Sequence, residues 1–264
     1  MVVPLDRERL LAAVERSPRA VAAHDRDDWV GIFTTDARVE DPVGSRPHVG
    51  REQIYRFYDT FIGPHDITFH RGNDIVFGAA VLRDLELEVT MGPAVTMHIP
   101  AVLRYDLREA NGQWQIAHMR AYWELPVMML QFVRAGTPAL TPALQLSRGL
   151  LANQGLRGTA GFMAGFRRAR ARHKRLTEAF LGAVARNDRP GAVRTLSPTA
   201  PITLGDNDPL ELAELVEQLD GAGWTKVIGA GATVAVALSQ GRDIVFADMA
   251  WRADTINQIR YFPA

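Results

Sequence analysis

The sequence predicts an α+β fold: two cone-shaped domains, each a curved antiparallel sheet closed by helices on one side. Three features predict it. Apolar residues recur at helical spacing in the opening stretch and again over residues 51–62, then at strict alternation from Leu85 onward. Helices first and a long meander afterwards put the helices against one face of the sheet. The same order of elements then returns, shortened, at a shift of 163 residues.

The elements follow in order. Residues 5–24 read as a helix with Leu10, Leu11 and Val14 on one side, and Pro18 is expected to bend or break it. A short helix from Asp27 to Phe33 turns Trp29, Val30 and Phe33 inward. In Ala37-Arg38-Val39-Glu40-Asp41 the period changes to two, the mark of a half-buried strand, and Pro42, Gly44 and Pro47 end it. Residues 51–62 carry Ile54, Phe57, Tyr58 and Phe61 at helical spacing. Leu85, Leu87, Val89 and Met91 then alternate with Asp84, Glu86, Glu88 and Thr90. From Val95 to Leu107, alternate residues share one face, Asn111-Gly112 makes a hairpin turn, and Trp114 to Trp123 is the last strand.

The predicted domains are residues 1–126, which hold the pocket, and 167–264, a degenerate second copy. A partly helical connector, 127–166, joins them. No acidic residue lies between Glu124 and Glu178, while Arg134, Arg148, Arg157 and a cluster from Arg167 to Arg175 accumulate. In the second copy, Arg186, Leu196, Ala200 and Ile202 answer Ala23, Phe33, Ala37 and Val39. A helix at 209–220 and strands near 224–239, 242–253 and 255–262 complete it.

Composition narrows the function. Thirty basic and thirty acidic side chains cancel, so no net field draws the chain to nucleic acid or anionic lipid. The absence of cysteine excludes disulfides, thiolate zinc sites and a cysteine nucleophile, and suits a cytoplasmic location. No apolar run is long enough to span a membrane. The histidines lack metal-ligand spacing with carboxylates, and Gly229-Ala-Gly231 lacks the third glycine and following helix of a dinucleotide loop. No metal and no cofactor are expected. The arginine cluster reads as a solvated helix face.

Asp41 carries the chemistry. Alternation puts it on the apolar side with Ala37 and Val39, while Arg38 and Glu40 face away. A carboxylate aimed into an apolar space loses hydration, and its proton affinity rises toward that of a useful base. The other reading is that Asp41 caps the turn at Pro42.

The string from Ala37 to Ser45, preceded by Phe33 and followed by Gly50 and Ile54-Tyr55-Arg56-Phe57-Tyr58, resembles bacterial ketosteroid isomerase. Met119-Arg120-Ala121-Tyr122-Trp123 is similar to that family's final strand. The resemblance covers roughly residues 8–124 and extends to the SnoaL-like polyketide cyclases and nuclear transport factor 2, which share the cone. It implies that Asp41 takes a proton from the carbon beside a ketone and returns it elsewhere on the dienolate. The chemistry of that family is a known illustration of carboxyl pKa tuning. The resemblance also implies two oxyanion donors, a tyrosine on the first helix and a protonated aspartic acid on the third strand. This sequence has Ser17 at the first place and Ala101, beside Pro100, at the second. Tyr58 then becomes a candidate donor, directly or through a water held by Ser17, or else an ordinary core tyrosine.

Phe33, Val39, Phe57, Phe61, Met97, Ile99, Ala101, Leu103, Met119 and Trp123 are the expected lining for a flat, apolar, oxygenated ligand. In the second copy Leu204 stands where Asp41 would, and Phe180 where Ser17 would. Asp248 falls near the missing third-strand acid, either as an inward acid or as a solvated strand aspartate. The expected function is proton-transfer isomerisation or cyclisation of a steroid-like or polyketide-like ketone. The alternative is a binding protein using the same pocket. The two halves are expected to form an internal pseudo-dimer, with a further homodimer left open.

Overall fold

The computed structural model describes residues 7–92, 95–134, 136, 144, 171–239, 242–250 and 254–264. The chain divides into two compact units, Met1–Phe166 and Arg167–Ala264. In order, the first contains α1 (Arg7–Ala22), α2 (Arg26–Gly31), β1 (Phe33–Glu40), β2 (His48–Val49) and α3 (Gly50–Phe57). A π-helical turn (Tyr58–Ile62), β3 (Asp66–Phe77), β4 (Ala80–Thr90), β5 (Thr96–Ala110), β6 (Gln113–Tyr122) and α4 (Leu125–Arg134) follow. The second contains α5 (Ala171–Ala185), α6 (Arg189–Val193), β7 (Ile202–Leu204), β8 (Asp208–Pro209) and α7 (Leu212–Gln218). It ends in β9 (Trp224–Ala230), β10 (Thr233–Leu238), β11 (Ile244–Met249) and β12 (Ile256–Phe262).

The first sheet has the order β2-β1-β6-β5-β4-β3. Strands β3 to β6 form the expected antiparallel meander, and β1 joins its edge by pairing parallel with β6. The β5–β6 turn places Asn111 at φ 53° and Gly112 at φ 73°, the two left-handed positions of a tight hairpin. α1 runs unbroken through Pro18. The proline removes a single amide donor, while Leu10, Val14, Ser17, Ala20 and Val21 on the same helix are buried and hold it against the core. The regular helix expected over 51–62 widens at Tyr58, where the Gly63 amide bonds back to the Tyr58 carbonyl at 2.9 Å. That shift of phase buries Ile62 and leaves Phe61 only partly covered.

The second sheet has the corresponding order, β8-β7-β12-β11-β10-β9, again with one parallel pair, β7 with β12. Two local details also return at the 163-residue shift. His24 and Asn187 both follow a helix with positive φ, 51° and 55°. Asp25 and Asp188 then cap the next helix, each accepting an amide hydrogen bond at 2.8 Å, from Asp28 and Gly191. One boundary in the sequence reading needs correction. The strand expected near 224–239 is a hairpin, β9 and β10, that turns at Gly231 with φ 58°. Every residue of β10 is buried, so no alternation marked the break. Beyond α4, most of the expected connector, including the start of the arginine cluster, lies outside the described residues. No helix among the described residues is long and apolar enough to cross a membrane.

Candidate active site

Strand β1 delivers Asp41 as its alternation predicts. Phe33, Ala37 and Val39 are fully buried, while on the opposite face the Arg38 guanidinium donates to Glu40 at 2.7 Å. Glu40 also meets His118 Nε2 at 3.2 Å, which fixes the outward side of the strand end. Just beyond, the Val43 amide donates to the Ala121 carbonyl at 2.8 Å, and the Ser45 amide to the Pro42 carbonyl at 3.0 Å. The Asp41–Pro42 peptide bond is cis. These bonds pin the backbone that carries Asp41 to β6.

The Asp41 carboxylate makes its hydrogen bond across the site rather than back to the turn. Trp123 Nε1, just past the end of β6, donates to Asp41 Oδ1 at 2.6 Å. Asp41 lies deep in the protein, and burial raises its pKa from 3.8 to about 6, while the indole N–H acts in the opposite sense. The residue nevertheless keeps part of its accessible surface.

The residues expected to line a pocket lie in the buried apolar core of the first unit. Phe33, Val39, Phe57, Met97, Ile99, Ala101, Leu103, Met119 and Trp123 belong to one buried apolar cluster, with Phe61 partly buried against it. His48 joins from β2 opposite Val39, its ring 5.0 Å from that of Phe57. Burial, with Arg46 nearby, lowers its pKa to about 4, so it is neutral at physiological pH.

The other two candidate catalytic residues, Ser17 and Tyr58, are both buried. Ser17 is buried on α1, and its hydroxyl oxygen accepts from Trp29 Nε1 at 3.1 Å. The Trp29 ring packs on Tyr58 at 5.6 Å, and the charges acting on Tyr58 are Asp25, Asp59 and Arg26. Burial raises its proton affinity, and its hydroxyl has no hydrogen-bond partner. The widened turn that begins at Tyr58 sets this placement, and sequence spacing does not reveal a π-helical turn.

Two residues that the sequence reading left unassigned lie in the same interior. Tyr105 on β5 shares the inward face with Ala101 and Leu103 and is fully buried. Arg83 on β4 shares the inward face with Val81 and Leu85 and is 1% exposed. Its guanidinium grips Asp74 with two bonds, 2.7 and 2.9 Å, and reaches Glu15 of α1 at 3.1 Å. A charged residue at an apolar register position was the available signal for Arg83. Tyr105 gave none, because a tyrosine in an apolar alternation reads as core.

In the second unit, Leu204 and Phe180 occupy the places answering Asp41 and Ser17. Asp248 is neither a free inward acid nor simply solvated. Its oxygens accept from Arg260 at 3.1 and 3.2 Å and from the Thr233 hydroxyl at 2.5 Å, so it is engaged in a structural ion pair.

Fold and site together define a helix-closed, six-stranded α+β domain with an enclosed carboxylate amid apolar side chains. Residues 14–119, within the first unit, match the model of the SnoaL-like domain. Several solved structures are similar to this region. A Mycobacterium tuberculosis protein in complex with estradiol-17beta-hemisuccinate is 28% identical, over 45% of this chain and 95% of that one, with a TM-score of 0.41. The Delta 5-3-ketosteroid isomerase from Mycobacterium sp. is 26% identical over the same shares, also at 0.41. The epoxide hydrolase/cyclase-like enzyme SalBIII, of pyran ring formation in polyether salinomycin, is 27% identical over 46% and 95%, at 0.41.

Proposed function

We propose that the first unit is a proton-transfer isomerase or cyclase for a steroid-like or polyketide-like ketone, with Asp41 as general base. The observation that carries this reading is the Asp41 carboxyl, raised to about 6 by burial and aimed by Trp123. A base of that strength is ionised at neutral pH yet holds a proton far better than an exposed aspartate. In the reaction, Asp41 takes the proton from the carbon next to the carbonyl, and the electron pair delocalises onto the carbonyl oxygen. The same carboxylic acid then returns the proton to a different carbon, or the enolate carbon attacks an internal electrophile and closes a ring. The apolar walls keep water away from the enolate and strengthen its electrostatic interactions. The second unit is, in this reading, a copy that has lost its base, with Leu204 in place of the aspartate. The test is turnover of a β,γ-unsaturated 3-ketosteroid, followed by the absorbance of the conjugated product. Asp41→Asn is expected to abolish it, and an unchanged rate removes Asp41 from the role of base.

One observation favours a second reading, a binding protein for an apolar ligand. Ala101 offers no acid, and the Ser17 oxygen is already bonded to Trp29. Tight binding of a ketosteroid with no solvent-deuterium exchange at its α-carbon distinguishes this reading from the first.

A further inference from the structure

The Tyr105 hydroxyl is an anomaly. It sits on the inward face of β5, is wholly buried, and has no hydrogen-bond partner. Ser17 is beside it but not in bonding geometry, and Arg83 is the nearby cation. Leaving a phenol unsatisfied inside a protein is costly, and Phe fills the same space without that cost. The hydroxyl also lies near enough to Asp41 for that charge to act on it. The group that is missing is therefore an acceptor.

We infer that Tyr105 donates its hydroxyl hydrogen bond to the oxygen of a bound ketone, phenol or enolate, from the floor of the sheet rather than from the first helix. Several features suit it to this work. Burial first, with smaller opposing effects from Arg83 and Ser17, pushes its pKa up to about 12, so it keeps its proton at every working pH. The Arg83 charge offsets part of that rise and favours negative charge developing near the hydroxyl. Its ring is held rigidly between Val81 and Met119 of the flanking strands, so it needs no reorganisation to meet a developing negative charge. This inference rests on the proposed function in one respect, that the ligand is an oxygenated apolar molecule.

The test measures binding and so is separable from the role of Asp41. Equilenin, a fluorescent steroid naphthol, is titrated against wild type and Tyr105→Phe, in parallel with its 3-deoxy analogue. The expected result is at least tenfold weaker naphthol binding by Tyr105→Phe, with deoxy analogue affinity changed less than twofold. Asp41→Asn should preserve this contrast whatever it does to turnover. Equal losses for both ligands, no loss for either, or no equilenin binding by wild type would each overturn the assignment. If Tyr105→Phe does not fold, 3-fluorotyrosine at position 105 keeps the ring and the hydroxyl. Its fluorine resonance should shift on adding equilenin and stay fixed on adding the deoxy analogue; an identical response to both ligands also overturns the assignment.

Discussion

The indole N–H of Trp123 lies 2.6 Å from Asp41 Oδ1 and joins the end of β6 to the end of β1. This bond opposes the effect of burial on the carboxyl, so the two together set how strong a base Asp41 is. Trp123→Phe removes the donor and leaves the burial. The Asp41 pKa should then rise above its present value of about 6. The acid limb of the turnover profile should move to higher pH, with lower activity at pH 6–7, as measured by initial rates across pH 4.5–9. A profile at the wild-type midpoint would show that the bond does not tune the base.

Asp41 should also make the first unit less stable as pH rises. Its folded pKa of about 6 lies above the ordinary 3.8, so between those values the folded state binds more protons than the unfolded state. Stability contributed by the protonated carboxyl is present near pH 4 and is lost as pH rises through 6. At pH 7–8 the strain is about 3 kcal/mol, from roughly two pKa units at about 1.4 kcal/mol each. Asp41→Asn should therefore stabilise the first unit by up to about 3 kcal/mol at pH 8 and by little at pH 4. Urea denaturation at the two pH values measures the difference.

Ser17 is expected to serve the core through Trp29. Ser17→Ala leaves the buried Trp29 N–H without its acceptor and should destabilise the first unit by about 1–2 kcal/mol. The loss should be read from denaturant midpoints, with a shift of tryptophan emission as the local signature. A variant as stable as wild type would mean that Trp29 finds another acceptor.

The buried ion pair of Arg83 and Asp74 should be sensitive to loss of one partner. Asp74→Asn leaves a guanidinium that is 1% exposed facing only Glu15, and should cost about 3 kcal/mol. Replacing both, Arg83→Met with Asp74→Leu, should recover most of that loss, because no unpaired charge remains inside. A double variant as unstable as the single one would show that the pair's geometry, rather than its charge balance, supports the fold. Thermal melts of wild type, Arg83→Met, Asp74→Leu and the double variant complete the cycle.

Much of this protein is written in its local pattern. The alternation through Ala37, Val39 and Asp41 fixed which side the carboxylate faces, because successive strand residues point to opposite faces whatever the partner strand. The Asn111-Gly112 turn and the meander from β3 to β6 were legible for the same reason: each depends on neighbours in sequence. Interactions across the fold were not. The parallel pairing of β1 with β6 brings Trp123 to Asp41 over 82 residues of chain. The π-helical turn begins at Tyr58, on which Asp25 and Asp59 act. Register between β4 and β5 sets Arg83 and Tyr105 on one inward face under Ser17. Proton affinity and donor geometry depend on what surrounds a group in space, and long-range packing alone decides that.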